Sequence, residues 1–127
     1  MGGLKVLVVD DDPSTRILLS HILKVDDFQV ILASDGHQGL QKFNEEAPEL
    51  VLTDLLMPVK SGIQLIKNIR LDLKSQTPII VLSSVGQTQT VMHAFELGAN
   101  DFITKPFDTK EILVRINNVL RSKWNSI

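Results

Sequence analysis

Apolar residues gather along the chain in five short runs: Leu4 to Val9, Gln29 to Ala33, Leu50 to Thr53, Ile79 to Leu82 and Phe102 to Thr104. Each has the length of a β-strand. The first, third and fourth are nearly continuous rather than alternating, the pattern of strands covered on both faces of a parallel sheet. Between the runs the spacing turns helical. Ile17, Leu18, Ile22 and Leu23 follow the first, Leu40 and Phe43 the second, and Leu65, Ile66, Ile69 and Leu73 the third. Val91, Met92 and Phe95 follow the fourth, and Ile112, Leu113, Ile116, Val119 and Leu120 the fifth. At this period each set forms one helical face, expected to pack on the sheet. Asp12 before Pro13 suits a helix N-cap, Asp35-Gly36 and Asp108 suit two more, and Gly98 stands where the fourth helix should end. The repeated unit is βα, five times over. It predicts a doubly wound, flavodoxin-like α/β domain with a five-stranded parallel sheet and five helices.

Composition narrows the class. The chain has 127 residues, 43% of them hydrophobic, so a single domain spanning 1–127 is expected, with its core at about 4–120. Residues 121–127 lose the apolar period and read as a fraying tail or the start of a linker, with Trp124 covering the last helix or touching a neighbour. There are no cysteines, which removes disulfides, zinc ribbons and thiol chemistry and leaves oxygen or histidine for any metal. Thirteen Lys+Arg against fifteen Asp+Glu give a net charge of −2, so no direct nucleic-acid or anionic-membrane contact is expected. No run reaches the ~20 apolar residues of a membrane span, and no signal peptide is recognisable. A cytoplasmic location is the expectation.

In open parallel sheets, ligands bind beyond the carboxyl ends of the strands. The residues that end the strands here are Asp10, Asp11 and Asp12, then Asp54, then Ser83 and Ser84, then Lys105-Pro106. Adjacent carboxylates repel unless a cation or hydrogen-bond donors compensate. Mg²⁺, which takes oxygen ligands, suits Asp10, Asp11 and Asp54. Asp12 beside Pro13 reads instead as the helix cap. A carboxylate beside a divalent cation is competent as a nucleophile toward phosphorus, and Lys105 and Ser83 would spread the charge of the transferring group. The plainer alternatives are a turn-forming Asp54, a surface Lys105 and a polar strand terminator at Ser83. His21, His37 and His93 are dispersed and form no metal-ligand motif.

Val8-Val9-Asp10-Asp11-Asp12-Pro13, Asp54-Leu55-Leu56-Met57-Pro58 with Gly62, Ile79 to Ser84, and Gly98 to Phe107 together resemble the receiver domain of two-component response regulators. The resemblance covers Lys5 to about Leu120, with all four motifs in order. It implies that Asp10 and Asp11 hold Mg²⁺, with Asp11 the direct ligand, and that Asp54 is the phosphoacceptor and a further ligand. It implies a third protein ligand in the Leu56 carbonyl, a switch hydroxyl in Ser83, a phosphate-pairing Lys105 and a switch aromatic in Phe102. The donor would be a sensor histidine kinase or phosphotransfer protein, and the output an effector domain or downstream protein. A homodimer through the fourth helix, fifth strand and fifth helix is a further expectation, with Asp101, Glu111 and Arg115 as candidate ion pairs across it. The chain would be no enzyme, but a phosphoacceptor that assists its own phosphoryl transfer and dephosphorylation.

Two positions depart from the family pattern. Lys60-Ser61-Gly62 stands where the family commonly has Met-Asp-Gly or Met-Asn-Gly, which sets a cation near the acidic edge. Leu56 and Val85 are apolar where polar residues would orient an attacking water, so slow phosphoryl loss is expected. Two alternatives come from other readings. One is a haloacid-dehalogenase-type phosphohydrolase built on Asp10, Asp12 and Ser14, and the other a receiver that docks without being phosphorylated.

Overall fold

The structure, a computed structural model, describes residues 3–124, and for 123 and 124 only the course of the backbone. The elements are β1 (Lys5–Val9), α1 (Pro13–Val25), β2 (Gln29–Ala33), α2 (Gly36–Glu46), β3 (Leu50–Asp54) and α3 (Gly62–Lys67). A π-helical turn (Asn68–Asp72) follows, then β4 (Ile79–Ser83), α4 (Thr88–Leu97), β5 (Asp101–Thr104) and α5 (Thr109–Trp124). The sheet order is β2-β1-β3-β4-β5, with every pairing parallel. The chain therefore winds outward to β2, then returns past β1 to β3. The carboxyl ends of β1 and β3 flank the reversal, where the strand-end aspartates lie.

Period-two alternation divides the strand residues between two cores. Val6, Val8, Leu50, Leu52, Ile80 and Leu82 pack with Leu19, Leu23, Ile112, Ile116 and Leu120 of α1 and α5. Leu7, Val9, Val51, Ile79 and Val81 pack on the other face with Leu65, Ile66, Ile69, Val91 and Ala94. Each fully buried Leu or Ile contributes roughly 2 kcal/mol relative to exposure.

Asp12 caps α1 by accepting from Ser14 N at 3.0 Å, with Pro13 in the first turn. Asp35 caps α2, and Asp108 accepts from Lys110 N at the start of α5. Gly98 ends α4 at φ 114, a conformation that glycine adopts without steric cost.

Several helical positions expected in the core are instead exposed. On α1 the sheet-facing stripe is Thr15, Leu19, Ile22 and Leu23, while Ile17 (69% exposed) and Leu18 (45%) are rotated off it. Met92 is exposed because it lies about a quarter-turn past Val91, and Phe95 stays partly uncovered at the helix margin beside Phe102. Leu73 misses the core because its N–H bonds Asn68 O, five residues back, and that wider turn displaces it from the line of Ile69. Arg121 to Trp124, expected to fray, continue α5. The Trp124 side chain and residues 125–127 lie outside the described residues.

Candidate functional site

β1 and β3 are neighbours, so Asp10 and Asp54 reach the same edge of the sheet. Asp10 is completely buried, and all four of its polar atoms are engaged. Its N–H donates to Ala33 O (3.1 Å) and its carbonyl accepts from Arg16 Nη1 (2.6 Å). Its Oδ1 accepts from Asp12 N (2.9 Å) and its Oδ2 from Lys105 Nζ (2.9 Å). Asp11 is exposed. Asp54, 7% exposed, accepts from Leu55 N at 2.8 Å through Oδ1 and from Lys105 Nζ at 3.3 Å through Oδ2. Lys105 thus bridges two carboxylates that would otherwise face each other buried and uncompensated.

Charge and burial set the protonation behaviour. Burial, then the charge of Asp10, pushes the Asp54 carboxyl above its ordinary value, while Lys105 and the Leu55 N–H oppose this in part. For Lys105 burial acts downward, yet the hydrogen bond and charge of Asp10, followed by Asp54, outweigh it and hold the ammonium above the usual lysine value.

Ligand oxygens of Asp10, Asp11 and Asp54 lie within 4.8 Å of one another. That oxygen-only set fits a hard divalent cation. Both carboxylate oxygens of Asp10 and of Asp54 already accept hydrogen bonds, which leaves the exposed Asp11 as the most accessible donor. Leu56 follows directly on Leu55 and its side chain is 56% exposed.

Ser83 is the last residue of β4, 3% exposed, and its carbonyl accepts from Lys105 N at 2.7 Å. The Lys105–Pro106 bond is cis. Phe102 is half-buried, edge-on to Phe95 with ring centroids 6.1 Å apart, and the Arg115 guanidinium carbon stands 5.5 Å from its ring centroid.

Two expectations change at the site. Asp12 spends both carboxylate oxygens on its own helix, through Ser14 N and Thr15 Oγ1 at 3.0 Å each, so the Asp10/Asp12 pair that the hydrolase alternative needs is not offered. The Lys60 ammonium bonds Asn68 Oδ1 at 2.7 Å, and among the described residues it forms no ion pair with the acidic edge. Arg115 pairs within the chain, with Asp101 at 3.0 Å and Glu111 at 3.4 Å.

Sequence reasoning passed over Arg16, whose contact to Asp10 O holds the turn leading into α1. It also passed over Ser61, which makes a reciprocal capping box with Gln64 at the start of α3. The Ser61-x-x-Gln64 spacing was a readable signal for that cap. Arg16 had none beyond its distance from the aspartates.

A doubly wound parallel sheet with buried carboxylates, a bridging lysine and a hydroxyl at its strand ends defines an α/β domain with a charge-balanced site at the carboxyl edge of its sheet. The family model of the response regulator receiver domain matches residues 6–117, and the chain belongs to that family, whose standard function is phosphorylation-dependent signalling. It is 39% identical over 122 residues to the transcriptional regulatory protein CpxR of Escherichia coli K12, covering 95% of this chain and 51% of that protein. It is 41% identical over 117 residues to a probable transcriptional regulator ycf27 of Guillardia theta, covering 92% of this chain and 45% of the relative. The chain thus spans about half the length of these curated relatives. Among solved structures, a response regulator of Chloroflexus aurantiacus superposes with a TM-score of 0.88 at 32% identity, covering 94% of this chain and 98% of that one. The chemotaxis protein CheY4 of Vibrio cholerae gives 0.86 at 29%, covering 93% and 99%. Among the described residues no helix is long and apolar enough to cross a membrane.

Proposed function

We propose that Asp54 is the phosphoacceptor of this receiver and that its modification reshapes the surface formed by α4, β5 and α5. The single observation that carries this reading is the meeting of Asp54 with Asp10, Asp11 and Lys105 at one strand edge, with the acceptor carboxylate recessed and the ammonium touching it. An oxygen of Asp54 attacks phosphorus, and the P–N bond of a donor phosphohistidine breaks. The phosphoryl group passes to the carboxylate and the electron pair to the departing imidazole. Lys105, already at the Asp54 oxygen, pairs with the charge that arrives there. Ser83, one strand away, supplies a hydroxyl to the same group, and Phe102 follows the change along β5.

Asp10, Asp11 and Asp54, with the Leu56 carbonyl, would hold Mg²⁺. When bound, the ion neutralises charge on the transferring oxygens. The domain is no enzyme in its own right; these residues assist its own phosphorylation and dephosphorylation.

The donor is a sensor histidine kinase or phosphotransfer protein. Exposed Leu18 on α1, which lines a groove with Lys105, Pro106 and Phe107, and the exposed Ile17 next to it in the chain supply an apolar platform for it. The output is an effector domain or downstream protein, with a homodimer through α4, β5 and α5 as a further partner state. A net charge of −2 argues against direct nucleic-acid contact by this unit, and a cytoplasmic location follows from the donor.

Incubation with Mg²⁺ and acetyl phosphate, followed by intact mass and site mapping, tests the reading. A single phosphoryl adduct on Asp54, absent from Asp54→Asn, is expected. A folded protein with no adduct, or an adduct elsewhere, overturns it.

A further inference from the structure

Arg70 lies in the π-helical turn, half-buried, and its guanidinium donates four hydrogen bonds. Nε reaches Gly98 O at 3.1 Å, Nη1 reaches Ser75 O at 2.9 Å and Thr77 O at 2.7 Å, and Nη2 reaches Asn100 Oδ1 at 3.0 Å. Asn100 Oδ1 also accepts from Ile79 N at 2.8 Å, and Asn100 N donates to Ile79 O at 2.8 Å. One side chain therefore ties the carboxyl end of α4 to the segment that leads into β4 and to the residue that precedes β5.

The two ends of α4 are held very differently. At the carboxyl end, Gly98 N donates to Phe95 O at 3.0 Å and Ala99 N to Ala94 O at 2.9 Å, and Ala94 is completely buried. At the amino end, Gln87 gives the helix no side-chain cap, because its Oε1 is turned back to accept from Ser84 N at 2.7 Å. No acidic residue occupies the first turn of this helix. Gly86 sits at φ 91 with open space where a side chain would stand. Under this end lies a cavity of about 390 Å³ lined by Ser83, Val91, Phe95, Phe102 and Thr104.

We propose that Arg70 is the fulcrum of α4, fixing its carboxyl end to the sheet so that movement of the helix is confined to its amino-terminal half above the cavity. Helices ordinarily loosen at both ends, so a helix loose at one end only requires a specific tie at the other. The cavity gives the amino-terminal turns room to move. Ser83 and Phe102 line it, so a change at either reaches α4 at its movable end. The fulcrum is a property of the fold and holds whichever residue accepts a phosphoryl group.

Native-state amide exchange of the unmodified 127-residue chain tests this, with β1 amides as the monitor of global unfolding. In the wild type, Leu97, Gly98 and Ala99 are expected to be at least about tenfold more protected than Val91, Met92 and His93. Arg70→Gln is expected to abolish that difference by releasing the carboxyl end beyond any change in β1. Gly86→Ala, which strains only the loop before α4, is expected to lower protection at 91–93 and leave 97–99 unchanged. Equal protection at the two ends of the wild-type helix overturns the proposal. So does a uniform loss in Arg70→Gln that merely follows β1, or a Gly86→Ala effect spread over the whole of α4.

Discussion

A Cβ atom added at Gly62 would stand 1.9 Å from the carbonyl oxygen of Asp54. The first residue of α3 is pressed against the main chain of the strand-end aspartate, and Gly62 N donates to Leu55 O at 2.9 Å across the same contact. Only glycine fits without moving Asp54. Gly62→Ala is therefore expected to lower stability by about 2 kcal/mol in urea unfolding. It should also slow phosphorylation by acetyl phosphate, since the backbone that carries Asp54 must shift. Unchanged stability together with an unchanged rate would show that the contact relaxes at no cost.

Burial raises the pKa of Asp54, so the native state binds this proton more readily than the unfolded chain does. The ionised carboxylate is thus a liability at neutral pH, and it diminishes as pH falls through the raised pKa. Asp54→Asn is expected to be more stable than the wild type at pH 7, with the gap closing in acid. Urea midpoints across pH check this, and a variant less stable than the wild type at every pH would refute it.

Lys105 has the opposite linkage. Its raised pKa means that its contribution is fully present below the ordinary lysine value and is lost as pH rises through the raised one. Lys105→Met leaves Asp10 and Asp54 facing each other without their shared cation, and is expected to cost about 2 to 3 kcal/mol near neutrality. The deficit should shrink as acid protonates Asp54. A deficit constant with pH would assign the loss to packing of the side chain instead.

Addition of Mg²⁺ should raise the Tm of the wild type, because a cation that Asp10, Asp11 and Asp54 would hold only in the native state shifts the folding equilibrium. Asp11→Asn should weaken the shift, since Asp11 is the exposed and accessible carboxylate of the three. An identical Mg²⁺ response in that variant would move the site elsewhere.

Leu56 and Val85, two positions past Asp54 and Ser83, are exposed and apolar, 56% and 89% exposed, and neither side chain can orient a water. The Asp54 phosphoryl group is accordingly expected to persist for minutes or longer, followed by mass spectrometry after removal of the donor. Leu56→Asn should shorten its lifetime. Loss within seconds in the wild type would refute the argument.

Much of this site was legible because strand ends are legible. The apolar runs stop at Asp10, Asp54, Ser83 and Lys105, and a parallel sheet brings such stops to one edge. Direction was harder to read. Lys60 stands in the loop before α3, yet its ammonium is taken by Asn68. Ile17 and Leu18 look like core residues in a pattern that Leu19, Ile22 and Leu23 in fact complete. Arg70 offered no signal, because three of its four acceptors are main-chain carbonyls and no residue type marks a carbonyl as available.

The sequence by itself determined the five βα units, the caps at Asp12, Asp35 and Asp108, and the identity of the residues that end strands. All of these follow from period and local hydrogen bonding, which a few neighbouring residues settle. The tertiary structure alone decided which charges meet. Lys105 touches Asp10 across 95 positions of chain because the order β2-β1-β3-β4-β5 aligns the ends of strands that are remote in sequence. The same arrangement decided that Asp10 is fully bonded while Asp11 remains open, and that Arg70 grips the end of a helix formed some twenty residues later. Burial and electrostatic coupling depend on every element packed around a group, so neither exists until the sheet is assembled.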